Sequence, residues 1–484
     1  MTRISDRLNI HIDRLGARLR MFRTAYLRWQ DAHMPESVEL IIIALLLGIF
    51  TGMAAAALKG LISLLNNSIL AGVHIGKPNI RFLIWPLAGI LLTSIYQRYV
   101  IGHSVARGTK IISDTLKSGD YRMSPFFIFN PIVGCSVTIG TGASGGSEGP
   151  TALSGAAIGS AIGRWFGVSR DWMRILVGIG GGAGIAAIFK SPFGGVLFAL
   201  EVLQLELTTL PVIALILACL LSSSTAYFLS DFTFDIFFDR AFTTDAHTFG
   251  WIVVLGFFCG LYSIYYTYTK KKATGFFGRI RNPWIAAVTT GVILSVAVFM
   301  FPTLFGEGMN IITDLINGRN VSFTDSGILA RHTAPLWTFV ALGTIILMKG
   351  VLVAAANGGG GVSGDFVPTF FAGAVAGYLF ASLCNMLIGT ELPVWFFALA
   401  GMGSVMAGTI HAPLMAVFIL CESTDTFCFI VPYLIAVGIS YATVKILTPR
   451  SWESDTSHDD LLSLMSDKWT PALRTSDKKP QDQK

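Results

Sequence analysis

Charge is what this chain lacks. Only 13% of its 484 residues are Asp, Glu, Lys or Arg, against about 25% in an ordinary soluble domain. That is too little to cover a water-facing surface, which excludes a soluble enzyme. Cysteine is sparse as well. Cys135, Cys219, Cys259, Cys384, Cys421 and Cys428 stand singly in apolar stretches, with neither metal-ligand spacing nor the polar-loop setting of a disulfide framework. All six read as packing residues. Residues 1–35 lack the apolar core of a cleavable leader. No His-Glu-x-x-His or similar metal pattern occurs, and the 51 glycines follow no Gly-X-Y period, so a fibrous protein is excluded too. Nothing calls for nucleic acid, a metal or a cofactor, and no enzymatic activity is expected.

What the chain has in abundance is apolar sequence, 53% of all residues. From residue 36 to 448 it runs almost without interruption, broken by short Gly/Pro punctuation. This is the signature of an all-α polytopic membrane protein. Segments 38–64, 82–100, 249–268, 284–303 and 334–357 are long enough to span hydrocarbon of about 30 Å as helices. Others, at 150–164, 191–203 and 365–382, are short or Gly-rich or begin at a Gly-Pro break. Broken helices at membrane depth require burial in protein or a polar cavity beside them.

The flanks orient the chain. Residues 1–35 carry Arg3, Arg7, Arg14, Arg18, Arg20, Arg23 and Arg28, with an apolar stripe through Ile4, Leu8, Ile12, Leu15, Leu19, Phe22 and Tyr26. This predicts a basic amphipathic helix, either on the cytoplasmic membrane surface or docked on the protein. Lys270, Lys271, Lys272, Arg279 and Arg281 form an acid-free basic loop, hence cytoplasmic, whereas Asp231, Asp235, Asp239 and Asp245 suit the opposite side. The polar residues 449–484 read as a short, partly disordered cytoplasmic tail, too short for a regulatory domain. Both termini are then cytoplasmic, and the brevity of the tail suggests a bacterial inner membrane.

The apolar region 36–448 repeats itself, with halves at roughly 36–248 and 249–448. An offset of 218 aligns Gly364 with Gly146, Pro368 with Pro150, Thr369 with Thr151, Gly373 with Gly155 and Gly377 with Gly159. An offset of 221 aligns Gly403 with Gly182, Pro413 with Pro192 and Glu422 with Glu201. Two ordered offsets differing by three are what a duplication with one small indel leaves. Duplicated membrane halves with Gly/Pro-broken helices point to a transporter whose site lies between them.

The stretch from Gly142 to Pro150 supplies the site chemistry. Pro150 suits the first turn of a helix, and the glycines before it let bare backbone approach a ligand. A helix N-terminus offers about half a positive charge and unpaired N–H donors, which favours an anion. The matching stretch, Gly359 to Pro368, supplies a second such end. Converging, Gly146, Ser147 and Gly149 from one half and Gly364, Asp365, Phe366 and Val367 from the other would present backbone donors. These would replace part of the hydration of an anion, whose bare burial costs on the order of tens of kcal/mol. Glu148 stands at one end. Its carboxylate is itself an anion that can fill the site, and protonation would release it, making Glu148 a candidate gate and proton acceptor.

Gly146-Ser147-Glu148-Gly149-Pro150 resembles the Gly-Arg-Glu-Gly-Pro signature of the CLC chloride channels and transporters, and Gly364-Asp365-Phe366-Val367-Pro368 resembles that family's Gly-x-Phe-x-Pro. The resemblance continues through Lys190–Phe198, Gly306-Glu307-Gly308 and His411–Leu414, and covers roughly residues 40–448. It implies a homodimer with one pore per subunit, halves of opposite topology, chloride as cargo with other halides or nitrate possible, and protons where transport is coupled. Glu148 would be the external gating glutamate, and Phe366 would narrow the path.

The chain departs from that pattern at four places. Arg107 replaces the family's chloride-contacting serine, either lining the path or serving as a cytoplasmic charge. Trp452 falls where the intracellular tyrosine would be. Val202 occupies the internal-glutamate position, as in the family's channels. Glu201 matches Glu422 across the repeat, which argues for structural roles in both. Asp365 replaces an apolar residue, as a helix cap or as a charge facing the anion. Two mechanisms stay open, proton-coupled or leaky exchange and a passive, voltage- or pH-gated channel; a fluoride-selective exchanger is a remote third.

Overall fold

The computed structural model describes residues 34–71, 79–101, 108–206, 208–230, 246–317 and 335–448. The basic amphipathic segment before Met34, Arg107, the acidic loop Asp231–Asp245, Trp452 and the polar tail lie outside the described residues.

Sixteen α-helices occur among the described residues, eight in each half. The first half contains α1 (Glu36–Leu70), α2 (Arg81–Tyr96), α3 (Gly108–Ser118), α4 (Phe126–Gly140), α5 (Glu148–Phe166), α6 (Arg170–Phe189), α7 (Pro192–Leu197) and α8 (Thr209–Leu229). The second contains α9 (Ala246–Gly278), α10 (Pro283–Met300), α11 (Met309–Ile316), α12 (Pro335–Gly358), α13 (Phe366–Ile388), α14 (Val394–Ile410), α15 (Pro413–Thr424) and α16 (Ile430–Leu447). Helix is the outcome hydrocarbon demands, because every backbone donor must find its acceptor within the segment. Eight of these helices are long and apolar enough to cross a membrane. Phe50, Leu64, Phe257 and Val292 point outward from them, as lipid contact requires.

Packing repeats with the sequence. Helix α1 lies against α8 as α9 lies against α16, and α5 against α6 as α13 against α14. Likewise α6 meets α7 and α8 as α14 meets α15 and α16. Symmetry-equivalent helices touch directly where the halves meet, α2 on α10 and α7 on α15. Glycine makes the tightest contacts possible. A Cβ on Gly180 would strike the carbonyl oxygen of Gly155, and one on Gly401 would strike that of Gly373. These two backbone-on-backbone contacts occupy equivalent places in the halves.

Equivalent breaks also recur. Lys190 ends α6 and His411 ends α14, both in the left-handed region (φ 52° and 62°), each followed two residues later by a proline that starts the next short helix. Those short helices are capped across the halves. Glu422 of α15 accepts hydrogen bonds from Ser191 Oγ–H, Phe193 N–H (3.1 Å) and Gly194 N–H (3.0 Å) at the start of α7. Glu201, just after α7, accepts from Leu414 N–H (3.3 Å) and Met415 N–H (2.9 Å) at the start of α15. The structural role read for this pair is thus a reciprocal cap.

Three local expectations need correction. Lys270, Lys271 and Lys272 are not in a loop. Helix α9 runs to Gly278 and carries them in its final turns, leaving only Arg279 and Arg281 beyond it. The segment expected to be short at 365–382 is the 23-residue α13, continued to a left-handed Gly389. Cys428 is exposed, so only five of the six cysteines are packing residues.

Candidate functional site

The N-termini of α5 and α13 meet at the centre of the molecule. Gly146 N–H donates to Gly364 C=O (3.2 Å) and Gly364 N–H to Gly146 C=O (2.6 Å), a reciprocal antiparallel bridge between residues related by the repeat offset. Two helix ends that would otherwise repel are joined by their own backbone. The loop leading to α13 is fastened from several directions. Thr138 Oγ1 accepts from Val362 N–H (3.0 Å), Ser94 Oγ donates to Gly359 C=O (2.6 Å) and Gln97 Nε2 donates to Gly360 C=O (2.8 Å).

Glu148 is 1% exposed. It belongs to α5, yet one carboxylate oxygen, Oε1, reaches across to accept the first N–H of α13, that of Phe366, at 2.5 Å. The other oxygen, Oε2, is buried without a hydrogen-bond partner. Gly146 and Gly364 are glycines for a direct reason. A Cβ on Gly364 would sit 2.6 Å from the Glu148 carboxyl carbon, and one on Gly146 2.8 Å from it. The carboxylate therefore rests in a cradle that two missing side chains leave open.

Ser147, at the start of α5, is held by a second carboxylate. Glu307, between α10 and α11, accepts from Ser147 N–H (3.1 Å) and from Ser147 Oγ–H with Oε1, while its Oε2 pairs with Lys59 Nζ of α1 at 2.7 Å. The sequence marks Glu307 only as the middle of a family-like run, with no role attached, and gives no sign of Lys59. The available signal is the Gly306-Glu307-Gly308 run, whose two glycines have φ of 65° and 81°. That backbone turns sharply on both sides of Glu307. Beside this cluster, Lys349 of α12 is fully buried, donates to Ser144 Oγ (2.8 Å) and lies 4.2 Å from the centroid of the Phe371 ring. The ring face and the hydroxyl share its charge.

Asp365 does not cap α13. Its side chain makes no capping hydrogen bond and pairs instead with Lys270 Nζ of α9 at 2.7 Å, which draws the carboxylate away from the N–H groups it precedes. Phe366 turns its ring against Phe198, 5.9 Å between centroids. Gly149 is pressed between the halves and α3. A Cβ on it would lie 3.4 Å from Gly364 Cα and 3.9 Å from Thr109 Oγ1. Val202 ends a single π-helical turn, Phe198–Val202, half-buried among apolar neighbours. The structure thus brings Gly146, Ser147, Glu148, Gly149, Gly364, Asp365, Phe366 and Val367 together at one convergence of helix ends. Among the described residues no three His, Cys, Asp or Glu side chains gather as metal ligands would.

At this convergence a carboxylate of the chain itself rests on the first backbone N–H of the facing helix. The sequence profile of the voltage gated chloride channel family matches residues 88–445. A ClcB-like chloride channel protein of Ralstonia nicotianae is 28% identical over 371 residues, 75% of this chain and 82% of that protein. The voltage-gated ClC-type chloride channel ClcB of Escherichia coli is 27% identical over 325 residues, 64% of this chain and 71% of that one. Among solved structures, a slow cyanobacterial Cl−/H+ antiporter superposes with a TM-score of 0.71 at 21% identity, covering 87% of this chain and 98% of that one. A CLC-type fluoride/proton antiporter gives 0.69 at 21% identity, covering 84% and 96%.

Proposed function

The chain belongs to the voltage gated chloride channel (CLC) family, and from that premise we propose that it exchanges chloride for protons, with Glu148 as both gate and proton acceptor. The observation that carries this reading is the Glu148 carboxylate seated on the Phe366 N–H in the glycine cradle. As an anion it occupies the place an incoming chloride needs. A proton arriving on it removes the charge that the two helix ends hold, so the side chain leaves and chloride takes the donors. Loss of the proton returns the carboxylate and expels the anion. Each cycle then moves protons one way and chloride the other.

The backbone of Gly146, Ser147, Gly149, Gly364, Asp365, Phe366 and Val367 forms the anion position in this reading, and Phe366 narrows the path below it. The face carrying Lys270, Lys271 and Lys272 is cytoplasmic by the positive-inside rule, as are both termini, which puts the Glu307 and Lys59 cluster on the external side. The protein sits in a bacterial inner membrane as a homodimer. Phe193 of α7 and Leu414 of α15, 48% and 45% exposed at equivalent positions, leave an apolar face suited to a second subunit.

A second reading, a passive chloride channel, is favoured by Val202. An apolar, half-buried side chain at the internal-glutamate position cannot take protons from the cytoplasm. The reversal potential of the reconstituted protein under a chloride gradient, with a pH gradient superimposed, separates the two. A shift with pH establishes exchange; a value fixed at the chloride equilibrium potential establishes the channel and refutes exchange.

A further inference from the structure

Glu307 occupies the outer approach to Glu148 in the way Glu148 occupies the convergence itself. Its Oε1 takes both polar hydrogens of Ser147, the residue immediately before the gate, and its Oε2 takes the Lys59 ammonium. All three groups are anion ligands by chemistry: a backbone N–H at a helix start, a hydroxyl and an ammonium. Lys59 and Glu307 also line a cavity of about 550 Å³ with Asn66, Asn67, Lys190 and Asn310. Here amide donors and two lysines outnumber the single carboxylate. Asn66 Oδ1 in the same wall is buried without a partner. The cavity thus leads from the protein surface to donors that an internal carboxylate already holds.

We propose that Glu307 is a second, outer gating carboxylate, which competes with anions entering from the Lys59 side for Ser147 and Lys59 and so sets the affinity for external chloride. This rests on the reading that anions pass the Glu148 cradle. A chloride arriving in the cavity meets Lys59 first, and it reaches Ser147 only by displacing Glu307. Displaced, Glu307 swings toward the Asn-lined cavity.

The rival reading is a tie that merely fastens α1 to the start of α5. The two differ in sign. Cutting a tie at either end, by Glu307→Gln or by Lys59→Met, weakens transport in the same direction. If Glu307 competes with the anion, the two variants move affinity in opposite directions. In planar bilayers, with chloride set independently on each side, Glu307→Gln is expected to lower the half-saturating chloride on one side by roughly tenfold, the size of one charge-assisted hydrogen bond. Lys59→Met is expected to raise it on that same side, and chloride titrated from the other side should show less than about a twofold change, since one rim contact does not reach across the site. Shifts of the same sign for both variants, or equal shifts from both sides, would overturn the proposal while leaving chloride transport standing. A wild-type protein carrying no chloride current would instead sink the transport reading, and the proposal with it.

Discussion

Replacing Glu148 by glutamine keeps the side chain's shape and removes the charge that makes it an anion surrogate. In the wild type, Oε1 accepts the Phe366 N–H at 2.5 Å while Oε2 has no partner. A hydrogen bond to a charged acceptor contributes about 1.5–3 kcal/mol and a neutral one about 0.5–1.5, so the exchange alone loosens the blocked position by about 1–1.5 kcal/mol. Oε2 is already without a partner, so the NH2 that replaces it trades one unpaired buried group for another and adds no further cost. The exchange therefore comes to a shift of about five- to twelvefold in the occupancy of the cradle by its own side chain. The blocked state loses most of its hold.

The sign of the pH effect follows from the same geometry. Protonation of wild-type Glu148 removes its charge and lengthens its time away from Phe366 N–H, so chloride flux rises as pH falls. The glutamine variant is already in the neutral form and should show high flux that is flat with pH. Chloride efflux from reconstituted liposomes, followed over the acid-to-neutral range, measures both. A variant that keeps the wild-type slope against pH would remove Glu148 from the gate, whatever its rate.

Three further outcomes test the frame that holds this site. Glu422→Ala strands three donors at the start of α7 and Glu201→Ala two at the start of α15; losses of about 2–4 and about 1–2 kcal/mol are expected, and thermal unfolding in detergent with the order reversed would contradict the reciprocal cap. Gly401→Ala drives a Cβ into Gly373 C=O and should cost about 1–3 kcal/mol, whereas Gly343→Ala in α12, where an added Cβ meets nothing within 4 Å, should leave the same unfolding curve in place. The Lys270–Asp365 pair is 28% and 35% exposed at its side chains, so Lys270→Met and Asp365→Asn should each cost less than about 1 kcal/mol. A larger loss for Asp365→Asn alone would restore the helix cap that the geometry denies it.

The architecture was legible because duplicated Gly, Pro and Glu positions are rare enough to align, and helices in hydrocarbon declare themselves by composition. The place of Glu148 was legible because the repeat sets its Gly-Pro helix start against that of the other half. The Glu201 and Glu422 match announced a structural pair, but not that each caps the short helix of the other half, since that crossing needs the folded interface of α7 with α15. Asp365 was misread because its partner Lys270 is far away in sequence and a local cap was the nearest explanation. The basic run at 270–272 ended the hydropathy pattern without ending the helix; the run from Tyr262 to Ala273 contains neither Gly nor Pro to stop it. Lys59 and Glu307 are 248 positions apart, and a lone lysine on an apolar helix carries no sign of which carboxylate it will meet.

Repeat symmetry also locates where function departs from scaffold. At the offset of 218, Ser147 corresponds to Asp365 and Glu148 to Phe366. Each helix start therefore has a lysine from the first long helix of its own half nearby, Lys59 of α1 through Glu307 in one case and Lys270 of α9 directly in the other. At the next residue the equivalence fails: one half supplies a carboxylate and the other a phenylalanine whose N–H receives it. Two carboxylates facing across the bridge would repel and leave the donors open, and two phenylalanines would leave nothing to fill them. With one of each, the Glu148 side chain meets the other half through one buried hydrogen bond beside the Gly146–Gly364 bridge. The duplication sets the two helix starts against each other, and in the proposed mechanism the unlike pair of Glu148 and Phe366 is what lets one proton open the contact.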